Sequence, residues 1–353
     1  MKKVQIVILI LCTFGSSGVL YGLYFFSDLN RELVRADFNR KYAPGYLEKI
    51  SEIDLGVNSY YIAGFGRDRA YFGNFASPFH WLESSSSLSD TTGRWTDVGL
   101  DSVIADKRYR FVVDSPNFYV THGVMPIILK GDFSTREARS VMTDSGYYFT
   151  QATLIGKDRF ALRCYNIDKK GYELALKTKD TLEFREDLLQ ESGEGLFSLD
   201  GLMAYDRVTK GLVYMHYYKN ELLVADSNLE LKSRLHTIDS FRTVHIGVSH
   251  VNDNQAMMNR PPLLVNRYFA VNNGLIYVES NIIGQNEDME FFLMDTVVDV
   301  YSMSGGEYEY SFYIPRGTSG KASEFAVNNG KLYARYGAEV VAYSLTKLQP
   351  TIQ

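Results

Sequence analysis

The stretch FAVNNG occurs at Phe269–Gly274 and again at Phe325–Gly330, 56 residues further on. The first copy runs on into LIYVES and the second into KLYARY. In both, apolar residues alternate before and after Asn-Asn-Gly. Asn-Gly between two alternating runs is the strongest short signal of a β-hairpin, because a two-residue turn needs positive φ at its central positions. The repeated piece is therefore strand, turn, strand.

Written as turn, two residues, aromatic, apolar, the pattern recurs upstream. Looser copies stand at Asp68-Arg69-Ala70-Tyr71, Pro116-Asn117-Phe118-Tyr119, Lys157-Asp158-Arg159-Phe160 and Lys210-Gly211-Leu212-Val213-Tyr214. With Tyr277 and Tyr333 the aromatic anchors are separated by 48, 41, 54, 63 and 56 residues. A period of roughly 40 to 50 residues, with room for four short strands, is the mark of propeller blades. Tyr119, Phe160, Tyr214 and Tyr277 are each followed by two further alternating runs, such as GYELALKT and LEFREDLL after Phe160, or TVVDVYSM and EYEYSFYIP after Tyr277. The last unit has only EVVAYSL after Tyr333, while a spare strand, LEKISEIDL at Leu47–Leu55, precedes the first unit. The expectation is an all-β, six-bladed propeller over residues 47–353, closed by that N-terminal strand. A β-sandwich or a pair of smaller β domains is the competing arrangement.

Composition agrees with β structure. Aromatic residues make up 14% of the 353-residue chain, with 26 Tyr and 21 Phe, and these side chains favour strands. The net charge of −5, with scattered Lys and Arg, offers no basic patch for nucleic acid. Of the two cysteines, Cys12 lies in the apolar N-terminal run and Cys164 alternates with Phe160 and Leu162. That spacing predicts a buried thiol at Cys164 and no disulfide.

The chain opens MKKVQIVILILCTFGSSGVLYGLYFFSD, with no charge from Val4 to Phe26. Such a run suits a bilayer core of about 30 Å. It ends in bulky aromatics rather than a small-x-small cleavage site, although Gly15-Ser16-Ser17-Gly18 leaves processing open. The reading is an uncleaved transmembrane anchor over residues 1–26, with the domain outside the cytoplasm, on the periplasmic side of an inner membrane. Arg31, Arg35, Arg40 and Lys41 are interleaved with Asp28, Glu32 and Asp37 at helical spacings. Residues 27–46 are accordingly expected to form a helical stalk, Ser27–Tyr42, and a hinge at Ala43-Pro44-Gly45.

Trp-Asp blade endings and serial diglycines are absent. The Asn-Gly-x-aromatic strands resemble those of six-bladed, TolB-like propellers. The whole layout, with stretches such as YFGNFASPFHWL and VVDVYSMSGGEYEYSFYIP, is similar to uncharacterised membrane-anchored propeller proteins of Bacteroidetes. The resemblance implies fold and location and brings no catalytic motif.

Binding in a propeller is expected in the channel or the loops around its mouth. No His-Glu-x-x-His and no Gly-x-Ser-x-Gly occurs. The irregular segment from His245 and His250 through Val251–Pro262 makes the fifth unit the longest, and long insertions on rigid β scaffolds often bind. Candidate ligand-binding residues there are His245, His250, Asn252, Asp253, Asn254 and Arg260, with Glu287, Asp288 and Glu290 in the acidic GQNEDMEFF run. Met257-Met258 offers an adaptable protein contact. Near the inner strands the candidates are Asp114, Gln151, Asp200, Arg267 and Glu324. The leading expectation is a non-catalytic binding or scaffolding module of the cell envelope, with a protein partner or small ligand, a membrane contact through the N-terminal helix, and no cofactor. The alternative is a calcium-dependent, lactonase-like hydrolase or lyase, whose channel would gather several carboxylates and an Asn on one ion.

Overall fold

A computed structural model describes residues 3–26, 34–45, 47–99, 108–143, 146–190, 196–244, 248–252, 255–258, 262–346 and 348. The chain divides into two compact units, 1–35 and 36–353. In the first, α1 spans Lys3–Phe26, and its described residues from Ile10 to Tyr21 are exposed. Judged over the described residues, no helix is long and apolar enough to cross a membrane.

The second unit is a six-bladed propeller. Strand β1 is Glu48–Asp54. Blade 1 comprises β2 (Tyr60–Phe65), β3 (Arg69–Asn74), β4 (His80–Ser85) and β5 (Thr92–Trp95), followed by the short β6 (Asp97–Val98). Blade 2 is built from β7 (Arg110–Asp114), β8 (Asn117–His122), β9 (Ile127–Asp132) and β10 (Glu137–Thr143). Blade 3 follows as β11 (Tyr148–Gly156), β12 (Arg159–Asn166), β13 (Gly171–Lys177) and β14 (Leu182–Arg185). Blade 4 is β15 (Gly201–Asp206), β16 (Gly211–His216), β17 (Glu221–Ala225) and β18 (Leu231–His236). A hairpin of β19 (Val248–Asn252) and β20 (Gln255–Met258) then intervenes. Blade 5 is β21 (Asn266–Asn272), β22 (Leu275–Ser280), β23 (Thr296–Ser302) and β24 (Tyr308–Ile314), with the short helix α2 (Met289–Met294) between its middle strands. Blade 6 has β25 (Glu324–Asn328), β26 (Lys331–Tyr336) and β27 (Glu339–Ser344), and β1 pairs antiparallel with β27 as its outer strand. The closure expected from LEKISEIDL is present.

The repeated Asn-Gly pairs behave as their chemistry requires. Asn273 and Gly274 have φ of 51° and 79°, and Asn329 and Gly330 have 49° and 71°. Each pair caps a hairpin whose flanking residues, Asn272 with Leu275 and Asn328 with Lys331, are in register.

The core is a set of apolar clusters, one in each gap between neighbouring blades. All six aromatic anchors are buried. They are not all equivalent, which corrects the sequence template. Tyr71, Tyr119, Tyr277 and Tyr333 stand third in their strands and pack toward the following blade. Phe160 stands second and Tyr214 fourth, and both pack toward the preceding blade. Strand side chains alternate with a period of two, so a one-residue offset turns an anchor to the opposite face. Cys164 is fully buried, as expected, and burial pushes its thiol up to about 12.

The helical stalk is a second correction. Residues 27–33 lie outside the described residues, and from Val34 to Tyr42 the chain is non-helical, with a bend at Asp37. Ala36 N donates to the Ile283 carbonyl, Ser311 N to the Lys41 carbonyl and Ala43 N to the Ser311 carbonyl, which lays the segment along the outer edge of β24. Arg40 is buried there. Its Nε donates to Asp299 Oδ1 at 2.7 Å, its Nη2 to the Ile282 carbonyl at 3.0 Å, and its Nη1 pairs with Glu287. These long-range bonds outcompete the weak i,i+4 pairs that suggested a helix. The arm also covers a strand edge that would otherwise be left open.

Candidate functional site

The innermost strands β2, β7, β11, β15, β21 and β25 line the channel, and side chains clasp neighbouring ones together. Gln151 Nε2 donates to the Gly201 carbonyl at 2.6 Å while its Oε1 accepts from Met203 N at 3.1 Å, joining blades 3 and 4. Glu324 Oε1 accepts from Ile62 N at 3.0 Å, joining blades 6 and 1. These bonds set strand starts beside strand starts. One channel mouth is therefore built from the beginnings of the inner strands and the ends of the second strands.

Arginine–carboxylate pairs ring that mouth. Arg163 Nη2 donates to Asp200 Oδ1 at 2.6 Å, its Nη1 to Thr150 Oγ1 at 2.9 Å, and its guanidinium lies over the Tyr172 ring at 3.9 Å. Arg267 Nη1 donates to Glu279 Oε1 at 2.8 Å, and Arg335 Nε to Glu324 Oε1 at 2.5 Å. Arg163, Glu279 and Arg335 occupy the same place, the fifth residue of the second strand, in blades 3, 5 and 6. The register explains why: they face Gln151, Tyr268 and Glu324 on the inner strands.

Tyrosines fill the intervals. Burial, with the charge of Glu324 beside it, holds the Tyr268 phenol far above its usual range. Tyr217 is pushed up to about 12 by burial and by Asp200, and Tyr61 to about 12 by burial. Tyr61 Oη also accepts from Phe111 N at 2.6 Å. Glu324 and Glu279 are both lifted above the usual carboxylate range by burial, with Arg335 and Arg267 respectively pulling the other way. Glu279 Oε2 is buried without a hydrogen-bond partner among the described residues. Arg163 and Arg335 are largely enclosed, whereas the Arg267 side chain is 34% exposed; an arginine so placed offers donors and a flat cation to an anionic or aromatic group, and tyrosine offers an apolar face with a polar tip.

The structure thus places four of the residues chosen from sequence, Gln151, Asp200, Arg267 and Glu324, at one mouth. Asp114 is not among them. It ends β7 at the opposite mouth, where its Oδ1 accepts from Arg207 Nη1 at 2.9 Å. His245, Asp253, Asn254 and Arg260 lie outside the described residues. His250 and Asn252 belong to β19, so the segment read as irregular contains a hairpin. In the acidic run, Glu287 is buried against Arg40 and is no ligand-facing carboxylate, while Asp288 caps α2. Sequence reasoning missed Arg163, Glu279 and Arg335 because its candidates lay near the innermost strands and in the long loops, whereas these three stand on second strands. The shared fifth position after each turn would have found them.

A lactonase-like calcium site needs several carboxylates and an Asn gathered at one point. Among the described residues no three His, Cys, Asp or Glu side chains are placed to hold a metal ion. The mouth's carboxylates face arginines instead, so the residues present do not fit a calcium ion there.

The class defined by this fold is a six-bladed β-propeller. No protein-family model matches the chain, and no curated protein matches it. Among solved structures it is similar to a member of the DUF4221 family from Bacteroides vulgatus, with 14% identity over 87% of this chain and 98% of that one and a TM-score of 0.54. It is also similar to a protein of unknown function from Bacteroides thetaiotaomicron, with 10% identity over 88% and 74% and a TM-score of 0.48. A streptogramin B lyase matches with 11% identity over 85% and 97% and a TM-score of 0.46. At these identities the likeness concerns the fold.

Proposed function

We propose that this propeller is a binding or scaffolding module of the cell envelope, held at the membrane by its N-terminal helix and using the arginine- and tyrosine-lined mouth as its contact surface. The observation that carries the reading is the pairing of Asp200, Glu279 and Glu324 with Arg163, Arg267 and Arg335. Carboxylates neutralised in this way do not converge on an ion or a reacting atom, whereas Arg and Tyr are the residues enriched where proteins bind one another. The anchor is supported by the uncharged sequence from Val4 to Phe26 and by the exposure of Ile10, Leu11, Phe14, Val19 and Leu20 on α1, since a contiguous apolar surface calls for an apolar surrounding. Kinship to TolB-like propellers and to membrane-anchored propellers of Bacteroidetes is part of the same proposal.

Photo-crosslinking in native membranes tests it. A benzophenone amino acid replacing Tyr218, which is half-buried at this mouth, is expected to capture one defined species. The same group replacing Trp95, exposed on the outermost strand of blade 1, is expected not to. Identical patterns from the two positions, or none from Tyr218, would sink the assignment of the mouth.

A further inference from the structure

The opposite end of the channel holds a second, differently built site. A cavity of about 350 Å3 opens where β7, β11 and β15 end, within the range of about 300 to 1,000 Å3 common for small-molecule sites. Four cations line it, Lys157, Arg159, Arg207 and Lys210, against one acid, Asp114. That acid is already engaged by Arg207, which spans from blade 4 to blade 2 and also donates to the Val113 carbonyl at 2.9 Å. Nearby carboxylates are occupied as well. Asp158 pairs with Lys130 at 2.7 Å, Asp226 pairs with Lys232 at 2.9 Å, and Asp206 accepts from Val208 N and Thr209 Oγ1 at 3.0 Å.

The positive charge is therefore left over. No ion pair or hydrogen bond among the described residues holds the ammonium of Lys157 or Lys210. Arg159 directs Nη2 to Ser227 O and Asn228 Oδ1, both at 2.9 Å, and its Nε is a buried donor without an acceptor among the described residues. The remaining wall combines Gly156 and Ser227 with an apolar part formed by Leu154, Ile155 and the Tyr205 ring. Excess cations, an unused donor and an apolar wall around one cavity define the complement of an organic anion.

We infer that this cavity binds a small organic anion, a carboxylate or phosphate carried on an apolar or aromatic body. The anionic group sits between Lys157, Lys210 and Arg159, and the body lies against Leu154, Ile155 and Tyr205. The site is independent of the arginine–tyrosine mouth, so either stands if the other fails.

Calorimetric titration of the full chain in detergent tests it, with phenyl phosphate and benzoate as probes and benzyl alcohol as the neutral control. At least one anion is expected to bind saturably, more weakly as salt rises, and to exceed the alcohol. In the Lys157→Ala/Lys210→Ala double variant the affinity is expected to fall at least about tenfold, equivalent to about 1.4 kcal/mol. Circular dichroism and the melting temperature are expected to stay unchanged, because neither ammonium holds the fold together. Tyr205→Ala is expected to weaken phenyl phosphate but not inorganic phosphate. No saturable binding of either anion at millimolar concentration, undiminished binding in the double variant, or equal binding of the alcohol would each overturn the inference.

Discussion

Arg40 shows how much one side chain can decide. Its guanidinium is enclosed by Glu287, Asp299 and the Ile282 carbonyl, with both acids almost wholly shielded from water. Removing one partner of such a group strands the others, at a cost of about 3–5 kcal/mol. Arg40→Met is expected to lower stability in urea denaturation by that order. His216 makes a pH-dependent counterpart. Burial, reinforced by Lys219, lowers its pKa from 6.5 to about 3. The folded ring stays neutral while the unfolded chain takes up a proton below pH 6.5, so stability falls as pH drops from 6.5 toward 3. Glu221 loses stability the same way, but only from 4.5 downward. Its burial favours the neutral form, yet hydrogen bonds from Lys219 and Arg234 prevail and hold it at about 2. Between pH 6.5 and 4.5 the slope of unfolding free energy against pH is therefore expected to be shallower in His216→Phe than in the wild type. The difference between the two isolates the ring from Glu279 and Glu324, whose raised values act in the opposite sense.

At the scale of elements, the hairpins were the most legible part of the sequence. Asn-Gly turns and two-residue alternation are local signals that need no knowledge of distant partners. Gly330 has φ of +71° and open space around its Cβ position, so Gly330→Ala is expected to cost the backbone term alone, about 1–2 kcal/mol, read as a shift in the denaturation midpoint. Legibility failed where the decisive partner is remote. The arm from Ala36 to Tyr42 carried charges at helical spacing, and nothing nearby announced that Arg40 would be buried beside Glu287 and Asp299. The channel mouth was half readable for a related reason. Asp200, Arg267 and Glu324 could be placed near the inner strands, but their neutralisation depends on cross-strand register, which a one-residue offset inverts. The offsets at Phe160 and Tyr214 are examples.

At the scale of the molecule, six apolar gaps and one closing strand make the ring a single cooperative object. A chain starting at Ala36 retains the arm, β1 and every blade, and is expected to melt in one transition. A chain starting at Leu55 leaves blade 6 with three strands and an open seam at β27, and is expected to lose that transition. Circular dichroism melts of the two truncations check both. The same closure orders events in time. Arm and β1, the first parts of the domain to leave the ribosome, dock on Ile282, Ser311 and β27, which are among the last. The ring thus cannot shut until β27 has emerged, and throughout that interval β1 is unpaired and open to whatever chaperone or neighbouring nascent chain is at hand.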